Sequence, residues 1–133
     1  HSRESHPEIL QILQDERAFE VGGVMHYFQA DLDTAKNAMS LGFLISLAKP
    51  LLRLPDLQQV TRVLPIDYIV LETDSAPQPW KKYRKNWTEP SHVRLVAEKV
   101  AELKGLTLDQ VKRTTTDNLL GSLKLDRSSL IVS

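Results

Sequence analysis

The strongest constraint on this chain is the alternation of short, nearly unbroken apolar runs with amphipathic stretches. The runs are Val21-Gly-Gly-Val-Met-His26, Phe43-Leu-Ile-Ser-Leu47 and Asp67-Tyr-Ile-Val-Leu-Glu72. A strand with one wet face alternates apolar and polar residues, whereas a strand covered on both faces reads as a continuous apolar run. Between the runs lie helical stripes, Leu32, Ala35 and Met39 in one and Leu57, Val60 and Leu64 in the next. Strands of this kind separated by helices predict an α/β chain built from parallel βα units.

Local signals place the boundaries. Ser5 and Pro7 suit the start of a first helix. Its apolar face is Ile9, Leu10, Ile12 and Leu13, and it is expected to reach about Arg17. Asp31 can cap the second helix, Gly42 falls where a helix C-terminus favours glycine, and Pro55 opens the third. From Ser75 to Glu89 the pattern breaks into a proline-rich, charged loop. Pro90 restarts a helix carrying Val93, Val96, Val100 and Leu103, closed by Gly105. Thr107 and Gln110 form a capping box for the next helix, and a further short helix is expected from Asp117 to Leu123. Residues 1–125 are expected to form one unit and 126–133 a frayed tail.

A length of 133 residues allows one modest domain. Lys plus Arg and Asp plus Glu both number 17, so a polyanion must be recognised by a local patch and not by bulk charge. The chain has no cysteine, which excludes disulfides, thiolate metal sites and thiol nucleophiles. That composition fits a reducing cytosol, and the expected compartment is cytoplasmic. No apolar run approaches the roughly 18–20 residues needed to span a bilayer. The first residues lack signal-peptide character and an initiator Met, so the chain is expected to begin within something longer or to have been processed.

Three features fall at ends of elements. His1-Ser-Arg3 precedes a helix, His26 closes an apolar strand, and Asp74 follows the strand ending Leu71-Glu72. Parallel α/β folds collect active sites at the C-terminal ends of their strands. Two imidazoles and a carboxylate there are the ligand types of a catalytic zinc, manganese or magnesium centre. The bland alternative is a capped helix entry at His1, a buried, hydrogen-bonded His26 and a turn-forming Asp74.

Four segments carry a resemblance. His1-Ser-Arg-Glu4, Gly23-Val-Met-His-Tyr-Phe28, Leu71-Glu-Thr-Asp74 with nearby Pro77, and Glu89-Pro90 followed by Val93 resemble, in order and spacing, motifs of the TatD-like metal-dependent hydrolases (the TatD DNase family). The resemblance covers about the first 120 residues. It implies the C-terminal half of a (β/α)8 TIM-type barrel, a fold typically of about 250 residues. It also implies divalent metal ions, two in the complete site, with magnesium, manganese and zinc not distinguished. The activity implied is hydrolysis of an ester, most often a DNA phosphodiester. His1 and His26 would bind one metal, and Asp74 would touch the metal pair and act as general base. Glu72 would support the site without being a ligand, and Arg3 would either support the metal ligands from behind or contact a phosphate.

The sequence departs from the family pattern in several places. The family's first-strand H-x-H pair and bridging glutamate lie N-terminal to the point where this chain starts. His6 and His92 do not replace them by position and are expected in surface or capping roles. Gln29-Ala30 stands where Ser-Gly is usual, and Ser75-Ala-Pro77 carries one residue more than usual.

The segment Trp80-Lys-Lys-Tyr-Arg-Lys-Asn-Trp87 sets Lys81, Lys82, Arg84 and Lys85 among Trp80, Tyr83 and Trp87. Bases stack on aromatics while Lys and Arg meet phosphates, so these residues are candidate DNA contacts; the alternative is a solvated loop anchored by its tryptophans. A half-barrel leaves raw strand edges, so self-association is expected. Two other readings remain open: hydrolysis of another ester such as D-aminoacyl-tRNA, and an inactive truncated half-barrel or interaction module.

Overall fold

A computed structural model describes residues 2, 4–75, 88–125 and 127–130 of the chain. Its described residues form a three-stranded parallel sheet in the order β1-β2-β3, with α-helices in the connections. The strands are β1 (Gly23–Met25), β2 (Phe43–Leu47) and β3 (Ile69–Leu71). The helices are α1 (His6–Asp15), α2 (Leu32–Ser40), α3 (Pro55–Val63), α4 (Val93–Lys104) and α5 (Leu108–Ser122). Both strand pairings are parallel, with Met25 opposite Ile45 and Ile45 opposite Ile69. The expected parallel βα organisation is therefore present.

The register sorts side chains between two faces, because successive residues of a strand point to opposite sides. Met25, Phe43, Ile45, Leu47 and Ile69 join one buried core with Ala35, Leu57, Val60, Val96 and Val100 from the helices. The opposite face takes the even-numbered positions: Val24, Leu44, Ser46 and Val70. His26 and Glu72 continue that parity past the strand ends. The chemistry and the helix-packed core thus occupy different sides of the same three strands.

The helix signals mostly hold. Asp31 is the N-cap of α2 and accepts from the Thr34 amide at 2.8 Å. Gly42 adopts φ 77°, and Gly105 closes α4 at φ 64°. Thr107 and Gln110 form the capping box of α5. Differences occur where local turns compete with regular structure. The first helix stops at Asp15, short of Arg17, because Arg17 turns left-handed at φ 56°. Ser5 occupies the N-cap position of α1 without a capping side-chain bond.

Two strands are also shorter than expected. Gly22 has φ 74°, which delays β1 to Gly23, and a 3-10 turn over Ile66–Tyr68 delays β3 to Ile69. The separate helix expected from Asp117 does not exist, because α5 runs unbroken to Ser122. Asp117 pairs with Arg127 at 2.8 Å instead of capping. Within the same helix Asn118 Nδ2 donates to the carbonyls of Ile66 and Ile69, both at 2.8 Å, and so pins α5 to the start of β3. In the segment expected to fray, Arg127–Leu130 form a 3-10 turn. Among the described residues no helix is long and apolar enough to cross a membrane.

Gly23 is required by packing. A Cβ there would lie 2.6 Å from the Phe43 ring, its neighbour across the β1–β2 pairing. Gly23→Ala should therefore destabilise the chain by about 1–3 kcal/mol, the usual cost of overpacking a core, read from the denaturant midpoint. Hydrogen bonds from the Thr34 side chain and amide hold the Asp31 carboxyl below its ordinary value of 3.8. A folded-state pKa depressed in this way stabilises above the unfolded value and is lost as pH falls through the folded one. Asp31→Asn, which keeps a capping oxygen, should leave stability at neutral pH nearly intact. It should flatten the loss of melting temperature below about pH 4.

Candidate active site

The rim of the sheet is built by backbone bonds that continue past the strands. The Phe28 amide donates to the Ser46 carbonyl at 3.0 Å, and the Glu72 amide donates to the Leu47 carbonyl at 3.0 Å. These two bonds extend the pairing of β1 and β3 with β2, and so fix where His26 and Glu72 leave the sheet. Beyond them the chain turns sharply, with Tyr27 at φ 53° and Asp74 at φ 49°. Asp tolerates this left-handed region, whereas an aromatic residue adopts it at a cost.

These turns bring the groups together. His26 Nδ1 lies 2.8 Å from Glu72 Oε2, and His26 Nε2 lies 3.5 Å from Asp74 Oδ1. An ionised carboxylate can only accept, so the 2.8 Å contact is a hydrogen bond in the tautomer that carries the proton on Nδ1. Exposure rises along the chain of groups, from 18% for the Glu72 side chain through 32% for His26 to 50% for Asp74. Glu72 is thus the shielded support and Asp74 the solvent-facing group. Behind them, the Ser46 hydroxyl also donates to Glu72 Oε2.

The site opens into a cleft of about 810 Å³ whose walls include Ser2, Glu4, His6, His26, Gln29 and Asp74. Glu4, Tyr27 and Asp74 are three of the five non-glycine residues with positive φ among the described residues, and all three line it. Such strain is retained where the surroundings over-determine the backbone, and it clusters at functional sites.

Of the residues singled out from sequence, His26 and Asp74 are brought together. His1, Arg3, Trp80, Lys81, Lys82, Arg84 and Lys85 lie outside the described residues. Among the described residues no group of three or more His, Cys, Asp or Glu side chains is arranged to hold a metal ion. The donor chemistry nevertheless suits a divalent cation. An imidazole with Nδ1–H on a carboxylate and Nε2 turned toward a second carboxylate oxygen is how histidine ligands are commonly presented. His92 serves as a cap, with Nδ1 accepting from the Glu89 amide at 3.1 Å. His6 stands at the start of α1 on the cleft wall, edge-on to Phe28 with ring centroids 6.4 Å apart. Sequence reasoning passed over Ser46, whose one signal was a hydroxyl interrupting an apolar strand.

Comparison with known proteins gives one consistent answer. The family described as TatD related DNase matches residues 1–123. The metal-dependent hydrolase YcfH of Escherichia coli K12, itself described as uncharacterized, is 36% identical over 135 residues, covering 98% of this chain and 50% of the relative. YabD of Bacillus subtilis, described in the same words, is 33% identical over 123 residues, covering 89% and 47%. Human deoxyribonuclease TATDN3 is 30% identical over 120 residues, covering 90% and 42%. The crystal structure of YJJV, a TatD homologue from Escherichia coli, superposes with a TM-score of 0.79 at 21% identity, covering 92% of this chain and 48% of that one. The chain therefore spans about half the length of the curated relatives it matches.

The left-handed turn after His26 can be tested directly. Tyr27→Val places a β-branched residue at φ 53° and should cost about 1–2 kcal/mol of stability, measured by chemical denaturation, whereas Tyr27→Gly should be tolerated far better.

Proposed function

Because the chain belongs to the TatD related DNase family, we propose that it is the C-terminal half of a metal-dependent hydrolase that cleaves DNA phosphodiesters. The observation that carries this reading is the meeting of His26 Nε2 and Asp74 Oδ1 at 3.5 Å on the strand rim, with Glu72 behind the imidazole. Residues 1–125 correspond to half of a (β/α)8 barrel and 126–133 to a tail. The parallel strands, the alternating helices and the likeness to YJJV support this placement. The name of the human relative, deoxyribonuclease, favours DNA over other esters.

The residues divide the work by position. His26 offers Nε2 to a divalent cation while Glu72 keeps the ring turned toward the cleft. His1 is assigned to the same ion, and the complete site is taken to hold two. A bound divalent ion supplies charge neutralisation at the phosphoryl oxygens and acidifies water for attack. Asp74, half exposed on the cleft side, would help to hold the metal ions and would serve as the general base toward water. Arg3 and the basic, aromatic stretch of Trp80, Lys81, Lys82, Arg84 and Lys85 are assigned to the DNA backbone and bases, since they pair cationic groups with stacking surfaces. The strand edges left by half a barrel are assigned to self-association. The absence of cysteine supports a cytoplasmic setting.

The test uses the longer protein that contains this chain, with manganese and labelled single-stranded DNA, against an aminoacyl ester of transfer RNA. Turnover of DNA with little of the ester is expected; the reverse preference would move the reading to the ester. Asp74→Asn should lower kcat by about 10²–10⁴-fold, the usual contribution of a general base. Its circular dichroism should stay unchanged, since Asn also accepts a left-handed φ. Activity surviving that change at native metal levels removes Asp74 from its assigned role.

A further inference from the structure

Ser46 is the residue of the site that neither the sequence motifs nor the assignments above use. It lies in the middle strand, 2% exposed, in an otherwise apolar run. A hydroxyl placed there is disfavoured unless it is hydrogen-bonded. The parallel register, in which Met25 faces Ile45, sets Ser46 on the same side of the sheet as His26 and Glu72. Its hydroxyl donates to Glu72 Oε2, the same oxygen that accepts from His26 Nδ1 at 2.8 Å. Its carbonyl accepts from the Phe28 amide at 3.0 Å, which anchors the segment just after His26. Glu72 Oε1 is buried without a partner among the described residues, so the carboxylate is oriented there through Oε2.

We propose that Ser46 is a positioning residue: it fixes the Glu72 carboxylate and, through it, the tautomer of His26 that keeps Nδ1 protonated and the Nε2 lone pair turned to the cleft. This deepens the metal-site reading above and rests on it only for its purpose. The tautomer itself exists or fails without any metal. A neutral imidazole can carry its proton on either nitrogen, and the hydrogen bond made by one sets what the other offers. Without the hydroxyl the carboxylate keeps, among the described residues, a single donor at Oε2 and can rotate away from His26. A hydroxyl that merely filled space in the strand would not influence which imidazole nitrogen holds the proton.

The experiment is nitrogen-15 NMR of the metal-free protein that contains this chain, with labelled histidine. It is run in alkaline buffer, and His26 is assigned by loss of its signals in His26→Gln. Wild type should show a pyrrole-type Nδ1 and a pyridine-type Nε2. Ser46→Ala should move both toward the average of exchanging tautomers. The tautomer ratio should fall about fivefold, the bias one net hydrogen bond supplies. Ser46→Thr, which keeps the hydroxyl, should restore the wild-type pattern. Wild-type shifts in a folded Ser46→Ala chain overturn the proposal. Should that variant not fold, Ser46→Cys, close in size but a weak donor, should shift in the same direction, and an unshifted Cys variant overturns it equally. Adding zinc to wild type separates the two readings. A His26 Nε2 signal indifferent to zinc, with the tautomer still dependent on Ser46, sinks the metal reading and leaves the positioning role standing.

Discussion

The parallel register through β2 is the constraint from which the rest of the arrangement follows. It places Met25, Ile45 and Ile69 in line on the helix-covered side and gives them a shared core with α2, α3 and α4. The same register sends Ser46, His26 and Glu72 to the other side. A slip of one residue would exchange the two sets. Charged and imidazole groups would then enter the core, and the apolar positions would line the cleft. The core and the site therefore specify one another, and the apolar burial that holds the sheet together also sets the geometry of the chemistry.

The rim departs from regular structure where His26 and Asp74 meet. A strand continuing past His26 or Glu72 would keep the next side chains in the alternating pattern. Left-handed turns at Tyr27 and Asp74 break that pattern and bring Asp74 beside the imidazole. Asp accepts such a turn through its short polar side chain, whereas Tyr27 adopts it beside the backbone bond from Phe28 to Ser46 that anchors the following residue. Rigid support lies behind the ring and open space lies in front of it, the order in which a preorganised site is built.

β1 and β3 each pair with β2 alone among the described strands, and on the face that carries the site Val24 is 36% exposed while Leu44, Ser46 and Val70 are buried. The curated relatives it matches are about twice as long. In α/β barrels, sheet edges and the inner face are satisfied by closure of the full ring of strands. The three described strands thus carry the site together with their own helical backing.

Much of this was legible in the linear chain. Periodicity 2 against 3.6 separates strands from helices. Asp31, Gly42, Gly105 and the Thr107–Gln110 box mark helix ends through bonds made within a few residues. His26 and Asp74 were recognisable as candidates because they follow apolar strands, where parallel folds gather their chemistry. Such features depend on neighbours in sequence, so the sequence by itself determines them. Contacts between residues distant in sequence were decided by the tertiary structure alone. Asn118 bonds the carbonyls of Ile66 and Ile69 across 52 and 49 positions, which ties α5 to the start of β3. Ser46 reaches Glu72, and Glu72 reaches His26 across 46 positions. No local propensity encodes these bonds; they exist because the core fixes three strands side by side, and only that packing converts scattered polar residues into a site.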